Sequence, residues 1–344
     1  MTHAEILPIS GSQALIFLIA TALMSAALIV LLKPLLLRYA LARPNIRSSH
    51  STPTPQGAGI AVIATTIVVM FGVAFLLHDP IGSPLELAIV LACAAGLAMV
   101  GATDDIRPLE VWPRLFLQSL AVVIVLALLP SSLRIIDALP WWIERALLFV
   151  ALLWFVNLVN FMDGIDWMTV AEVIPLTAGL TFFGMVGALP TEGTVLAMVL
   201  CGAIIGFAPF NRPVARLFLG DVGSLPIGLL VGWLLVLLAG RGYLAAALIL
   251  PLYYLADATI TLLRRLLSGE QIFQAHRGHF YQRAMDNGFS VYEIVGRVFA
   301  LNIALVALAA TTIVRGTVLF QLIMLCIGCI LVVIVLWQFS RARR

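Results

Sequence analysis

Long apolar segments separated by short polar ones run along the whole chain. Eleven of these segments are predicted to be helices, at residues 13–35, 57–77, 84–103, 113–130, 141–160, 168–188, 193–210, 222–239, 242–263, 291–313 and 316–339. Apolar runs of about twenty residues are long enough to cross the hydrocarbon core of a bilayer. The pattern therefore predicts an all-α polytopic integral membrane protein with about eleven transmembrane helices. Ten is the alternative, because the turn between 168–188 and 193–210 is short.

The composition agrees with a membrane protein. Hydrophobic residues make up 62% of the chain and charged residues 11%, whereas soluble domains carry roughly 25% charged residues. Since no polar block is long enough to fold separately, residues 1–344 are predicted to form a single membrane-embedded domain. The N-terminal residues lack the basic start and the cleavage site of a signal peptide. We therefore expect the first helix to be an uncleaved anchor.

The basic residues are distributed unevenly between the loops. Sixteen of the twenty Lys and Arg residues lie in the loops on one side of the predicted helices. Cytoplasmic loops carry such an excess, so we expect the N-terminus outside and the C-terminus in the cytoplasm, in the cytoplasmic (inner) membrane. The unusual polar stretches fall on the same side, in loops at about 36–56, 104–112, 160–167, 210–224 and 264–290. These loops are predicted to form the active site.

The most unusual polar stretch ends the fifth predicted helix. Asn157, Asn160 and Asp163 recur every three residues and share one face of a helix, and Asp166 follows just beyond Gly164. One interpretation is an ordinary helix terminus, where Asn and Asp satisfy backbone groups. The other is a site for a hard cation or a sugar nucleotide, because polar groups at membrane depth usually have a function.

Acidic and basic residues converge on the same predicted side. The acidic sites are the pair Asp104 and Asp105, the pair Asp163 and Asp166, and Asp221. A divalent cation would relieve their repulsion, and Mg²⁺ prefers oxygen ligands together with substrate phosphates. Arginine grips phosphate oxygens through parallel hydrogen bonds. The mixture predicts a phosphorylated substrate bridged by a metal, bound by basic residues that include Arg47, Arg212, Arg216, His276, Arg277 and His279.

Four motifs in this order carry a resemblance to a known family. They are Asp104-Asp105, Asn157-x-x-Asn160-x-x-Asp163-Gly164-x-Asp166, Phe218-Leu219-Gly220-Asp221-x-Gly223-Ser224 and the run His276–Gln282. Together they resemble the polyprenyl-phosphate N-acetylhexosamine-1-phosphate transferases of the glycosyltransferase family 4 type, across nearly the whole chain. The late run, Gln274-Ala275-His276-Arg277-Gly278-His279, is most similar to the branch that initiates O-antigen chains.

The resemblance implies an enzyme that moves a sugar-1-phosphate from a UDP-N-acetylhexosamine to undecaprenyl or another polyprenyl phosphate and releases UMP. It implies catalytic roles for Asp104, Asp105 and Asp221, and a Mg²⁺ (or Mn²⁺) ion held by Asp221 and Asn160. Substrate binding is implied for Asp163, Asp166, His276, Arg277 and His279. We also expect it for Asn157, Arg47 and Arg212, on their position and charge. The expected product initiates O-antigen or a related cell-envelope glycan. The expected partners are the two substrates and the lipid bilayer, with a homodimer also considered and no nucleic acid.

Two alternatives remain open at this point. A transporter or flippase for a lipid-linked sugar would carry ionisable residues in the middle of its helices, and Glu172 and Asp257 come nearest to that pattern. A non-catalytic scaffold would not need clustered carboxylates. The sequence departs from the family pattern at Trp167, where glycine often follows Asp166, and we expect this residue to affect donor choice.

Overall fold

The computed structural model describes residues 11–42, 53–76, 83–271 and 276–343. Its helices are α1 (Gly11–Tyr39), α2 (Gly59–Leu76), α3 (Pro84–Ile106), α4 (Val111–Ala127), α5 (Trp141–Met162), α6 (Met168–Met185), α7 (Thr191–Phe207), α8 (Asp221–Gly240), α9 (Leu244–Ile249), α10 (Leu252–Leu267), α11 (Phe280–Asp286), α12 (Val291–Val314) and α13 (Val318–Phe339). Two short strands, β1 (Leu41–Ala42) and β2 (Thr54–Pro55), pair antiparallel.

The prediction of an all-α polytopic membrane protein is confirmed. Seven of the described helices, α1, α3, α5, α6, α8, α12 and α13, are long and apolar enough to cross a membrane. Three shorter apolar helices, α2, α4 and α7, coincide with further predicted segments. The closely spaced pair at 168–188 and 193–210 forms two separate helices, α6 and α7. The number of crossings and the orientation stay predictions.

The prediction that residues 242–263 form a single helix is wrong. Two helices, α9 and α10, replace it and meet at Leu250 and Pro251. Proline lacks the N–H that an uninterrupted helix would use here. The predicted loops also contain more helix than expected, since Asp104 and Asp105 lie in the last turn of α3 and α11 lies inside the fifth loop.

Helix α8 forms the centre of the bundle. Of its most apolar eighteen residues, 94% are buried, compared with 11% for α13 at the periphery. A helix that is apolar on all sides is expected in such a central position. α8 packs against α3 and α5, and glycines allow close approach. A Cβ at Gly228 would lie 2.8 Å from the Cα of Val156.

The segment after β2 fastens the first loop to the start of α8. Phe218 donates its N–H to the carbonyl of Pro55 at 2.9 Å and accepts hydrogen bonds from Gly57 and Ala58. The Gln56 amide donates to the carbonyl of Asp105 at 2.8 Å. These bonds hold three loops at one end of the bundle. Arg47, a predicted phosphate-binding residue, lies outside the described residues.

Candidate active site

The carboxylate of Asp105 is held at the N-terminus of α8. Its Oδ1 accepts a hydrogen bond from the Asp221 N–H at 3.0 Å, and its Oδ2 accepts one from the Val222 N–H at 3.2 Å. The first N–H groups of a helix have no partner within the helix, and its dipole favours a negative charge there. Asp105 therefore caps α8 from 116 residues away in sequence and brings Asp221 to the end of α3.

Two glycines are needed for this contact. Gly220 has φ +78° and ψ 169°, and a Cβ on it would lie 2.5 Å from Asp105 Oδ2. A Cβ on Gly101 would lie 2.2 Å from the carbonyl oxygen of Asp221. A real side chain cannot occupy either position without displacing its neighbour. Glycine thus lets α3 and the start of α8 touch backbone to backbone.

Arg114 lies between the carboxylates and was missed by the sequence reasoning, which counted it only among the basic loop residues. Its Nη1 is 2.7 Å from Asp104 Oδ2 and 3.8 Å from Asp221 Oδ2. Asp104 also accepts a hydrogen bond from the Leu109 N–H at 2.6 Å. The guanidinium offsets part of the repulsion among Asp104, Asp105 and Asp221. The opposite charges of Asp104 and Arg114 across a short loop were the available signal.

Of the two amides in the Asn157–Asp166 stretch, Asn160 joins this cluster. Its Nδ2 donates to Ser224 Oγ at 3.0 Å, and its side chain lies against Asp221. Asn157 instead points to α4, where its Nδ2 donates to Gln118 Oε1 at 2.8 Å and to the Leu153 carbonyl at 2.9 Å. The regular spacing predicted that Asn157 and Asn160 share one surface, but in the structure the two side chains bind different helices.

Asp163 follows α5 and lies in the field of the other carboxylates. Removal from water, together with the charges of Asp105 and Asp166, raises its pKa to about 7, against the lowering effect of the Thr169 hydroxyl. That hydroxyl donates to Asp163 Oδ1 at 2.5 Å. A carboxyl group with this pKa changes its charge near neutral pH.

Asp166 and Trp167 hold the loop that precedes α8. Asp166 is 5% exposed, and its Oδ2 accepts a hydrogen bond from the Ala215 N–H at 2.9 Å. The Trp167 backbone N–H donates to Asn211 Oδ1, and its indole N–H donates to the Ala208 carbonyl, each at 2.7 Å. Trp167 therefore packs on the loop, and its predicted influence on donor choice stays a prediction.

The predicted basic residues are distributed over two places. Arg212 is exposed, and its Nε donates to the Tyr292 hydroxyl at 3.2 Å. His276 stacks on His279 with ring centroids 5.0 Å apart. Arg277 lies beside them, with its Nη2 3.6 Å from Asp286 Oδ1.

The late loop rests directly on the end of α5. The Tyr281 hydroxyl donates to the Phe161 carbonyl at 3.1 Å, and the rings of Phe161 and His279 are 6.5 Å apart. A Cβ on Gly164 would lie 2.0 Å from the Tyr281 hydroxyl oxygen. The His276–His279 run is therefore next to the stretch that contains Asn160 and Asp163. Tyr281 was not singled out from the sequence.

The residues present fit a hard divalent cation. Among the described residues, no three His, Cys, Asp or Glu side chains are grouped in a way that could hold a metal by themselves. Mg²⁺, however, usually takes one or two carboxylates and fills its other positions with water and substrate phosphates. The Asp221 side chain is 29% exposed and Asn160 lies against it. Together they offer oxygen ligands that substrate and water can complete.

Residues 87–239, which include α3 through α8 and the carboxylate cluster, match the sequence profile of glycosyl transferase family 4. Over these residues the chain is similar to glycosyl transferase family 4. This confirms the family resemblance read from the four motifs. The profile covers Asp104, Asp105, Asn160 and Asp221, and the late loop with His276 and His279 lies beyond it.

Individual relatives extend the match over most of the chain. The chain is 23% identical over 339 residues to the probable undecaprenyl-phosphate N-acetylglucosaminyl 1-phosphate transferase of Bacillus subtilis, covering 90% of each chain. It is 26% identical to the decaprenyl-phosphate N-acetylglucosaminephosphotransferase of Mycobacterium tuberculosis, covering 79% of this chain and 75% of the relative. It is 27% identical to a phospho-N-acetylmuramoyl-pentapeptide-transferase of Buchnera aphidicola, covering 58% of this chain and 65% of the relative.

Proposed function

We propose that the protein transfers an N-acetylhexosamine 1-phosphate from a UDP-sugar to the phosphate of a polyprenyl phosphate, at the cytoplasmic face of the inner membrane. The observation that carries the proposal is the junction of α3 and α8, where the Asp105 carboxylate caps the helix that begins with Asp221. It collects three carboxylates and a guanidinium at one end of an apolar bundle. A lipid phosphate whose chain stays in the bilayer can reach such a site.

The reaction exchanges one phosphoanhydride bond for another. An oxygen of the lipid phosphate attacks the phosphorus that carries the sugar, and the bond from that phosphorus to the bridging oxygen of UMP breaks. UMP leaves with the electron pair. Since a phosphate monoester is largely dianionic at neutral pH, the attacking oxygen needs no general base. The work left for the protein is positioning and charge stabilisation.

The side chains divide this work. Asp221 and Asn160 would hold Mg²⁺, which when bound offsets charge on the donor phosphates and the leaving UMP. Asp105 keeps Asp221 in place through the backbone of α8, and Arg114 offers a cation beside Asp104 and Asp221. Asp163 and Asp166 lie on the side of the cluster that we assign to the nucleotide. His276, Arg277 and His279 supply donors for the diphosphate and the sugar.

We propose N-acetylglucosamine as the first donor sugar to test, because two relatives that match most of the chain are named for it. The product would initiate a cell-envelope glycan. The O-antigen pathway is the specific form of this proposal and rests on the late-loop motif of the sequence.

The two residues that favoured a transporter have other partners. Asp257 is 0% exposed and accepts hydrogen bonds from the backbone of α11. Glu172 is 2% exposed and accepts a hydrogen bond from the Asn302 amide at 2.7 Å. Both side chains join helices to their neighbours, so we do not propose transport.

The test is a reconstituted transfer assay. Purified protein is mixed with undecaprenyl phosphate, Mg²⁺ and one of several donors, namely UDP-N-acetylglucosamine, UDP-N-acetylgalactosamine and UDP-N-acetylmuramoyl-pentapeptide. UMP release and the lipid product are measured by chromatography and mass spectrometry. We expect one donor to give both products in equal amounts. Folded protein that forms no lipid product with any UDP-sugar would refute the proposal.

The metal assignment has a matched control. We expect Asp221→Asn to abolish turnover and chelation of divalent cations to abolish it in the unchanged protein. Asp137 is an exposed carboxylate in the α4–α5 loop at the opposite end of the bundle, so Asp137→Asn should keep the full rate. Full turnover in Asp221→Asn, or in excess chelator, would contradict the metal assignment.

A further inference from the structure

A buried carboxylate on α10 organises the late loop. Asp257 is completely buried. Its Oδ1 accepts from the Phe280 N–H at 3.0 Å, and its Oδ2 accepts from the Tyr281 N–H at 3.2 Å. These are the first N–H groups of α11, which have no partner inside that helix. Asp257 thus fixes where α11 begins.

The same carboxylate contacts the imidazole of His279. The His279 Nδ1 atom lies 3.2 Å from Asp257 Oδ1. The hydroxyls of Tyr253 and Thr261 also donate to this carboxylate, at 3.3 and 3.4 Å. An acceptor that already faces four donors, two backbone N–H groups and two hydroxyls, fits an ionised carboxylate, which has no proton to give. The Nδ1–H tautomer of His279 would make this ring a fifth donor to the carboxylate.

Fixing one ring nitrogen determines the chemistry of the other. With Nδ1 donating to a carboxylate, Nε2 is the nitrogen that accepts a hydrogen bond or takes a second proton. The ring plane is fixed as well, because His279 is stacked between His276, at 5.0 Å, and Tyr281, at 5.7 Å. The backbone N–H of His279 is bound by Gln282 Oε1 at 3.3 Å. Every described contact of this residue thus restricts its orientation.

We propose that Asp257 is a positioning residue that holds His279 in its Nδ1–H tautomer and sets the late loop against the end of α5, so that Nε2 is presented to the donor substrate. This inference rests on the proposed transferase function. Asp257 acts through His279 and the backbone of α11, and it does not touch the substrate. It accounts for an acidic residue in the interior of the bundle without invoking transport.

The decisive measurement uses the unchanged protein. In [¹⁵N]histidine-labelled protein, the ¹⁵N shifts and the couplings to ring protons identify which nitrogen carries the hydrogen. The signal of His279 is assigned by its loss in His279→Gln, among the five histidines of the chain. We expect an Nδ1–H tautomer, which Asp257→Asn should abolish. A wild-type signal with the hydrogen on Nε2 alone would overturn the proposal.

A double-mutant cycle tests whether Asp257 acts through His279. When a histidine at a metal site loses the partner that orients it, activity typically falls by about tenfold to a hundredfold. By analogy, we expect Asp257→Asn to lower kcat by at least about tenfold. In the His279→Gln background the same change should cost less than about threefold, because coupled residues are not additive. Equal losses in both backgrounds would overturn the proposal.

The control removes a different donor from the same carboxylate. Tyr253→Phe deletes a hydroxyl 3.3 Å from Asp257 Oδ2 and leaves the contacts to α11 and His279, so kcat should stay within about twofold of the wild-type value. If Asp257→Asn does not accumulate as folded protein, the proposal is tested by the tautomer of His279 in the wild-type protein alone. Absence of UMP release by the wild-type protein would refute the proposed function instead, and the tautomer measurement would still test the Asp257–His279 contact.

Discussion

The junction of α3 and α8 makes a sharp prediction about Gly220. A methyl group added there would lie 2.5 Å from Asp105 Oδ2, on a residue with φ +78° and ψ 169°. That backbone region is essentially restricted to glycine and costs other residues about 1–3 kcal/mol. The methyl group must also push away the carboxylate that binds the N–H groups of Asp221 and Val222.

The magnitude follows from these two effects. A hydrogen bond to a charged group contributes about 1.5–3 kcal/mol, so losing one of the two bonds and straining the backbone should lower the free energy of unfolding by about 2.5–6 kcal/mol. We also expect the rate of turnover to fall in the protein that remains folded. A displacement of about 1 Å at a reacting centre can cost about a hundredfold in rate, and Asp221 begins the helix that Asp105 caps.

The measurement compares two glycine-to-alanine variants. Gly220→Ala and Gly96→Ala are purified in detergent, and thermal unfolding and initial rates of UMP release are recorded for both. Gly96 lies within α3, and a Cβ there would meet nothing within 4 Å. Its replacement should leave the rate unchanged and stabilise the helix by up to about 1 kcal/mol. If Gly220→Ala matches Gly96→Ala in midpoint and rate, the Asp105 cap does not organise the site.

Three further predictions concern pH, the loop before α8 and the opposite end of the bundle. The folded pKa of Asp163 is about 7 against an ordinary 3.8, so the folded protein keeps a proton that the unfolded chain has lost, and stability falls as pH rises from about 4 through 7. Asp163→Asn should flatten that fall in unfolding midpoints measured from pH 5 to 8, and parallel profiles would contradict the assignment. Trp167→Phe removes the indole donor to the Ala208 carbonyl. It should lower the free energy of unfolding by about 1 kcal/mol and change the preference in the donor panel, whereas an unchanged preference would contradict the expected effect of Trp167 on donor choice. Arg134→Ala leaves the Glu144 side chain, which is 5% exposed, without its cation. The free energy of unfolding should fall by about 3 kcal/mol, while kcat measured at low temperature should be retained. A loss of kcat in folded protein would show that this end of the bundle affects the active site at the other end.

Much of the fold could be predicted from the chain alone. Each apolar segment became helix because a run of that length and hydropathy satisfies its backbone internally in the bilayer. Pro251 shows the limit of this reasoning, since the apolar run continues through it while the helix does not. The helix α11 was missed because its seven residues carry no long apolar period.

The candidate site was predictable in its residue types and less so in its contacts. The carboxylates near Asp104, Asp163 and Asp221 were expected on one side, and the structure brings them together. Asn157 was expected beside Asn160, but it bonds to Gln118 of α4. Arg114 and Tyr281 were missed because each meets the site through a neighbour that is distant or unremarkable in sequence.

The sequence by itself determined most of the helices, the family resemblance and the set of polar residues at the helix ends, because those properties follow from local hydrophobicity and from ordered motifs. Only the tertiary structure decided which oxygen binds which N–H group. Asp105 reaches α8 across 116 residues, and Asp257 reaches α11 across 23. Both contacts depend on how far two helices approach and on which face each presents. At the Asp105 contact that geometry depends on Gly101 and Gly220, whose missing side chains matter only once the helices are packed.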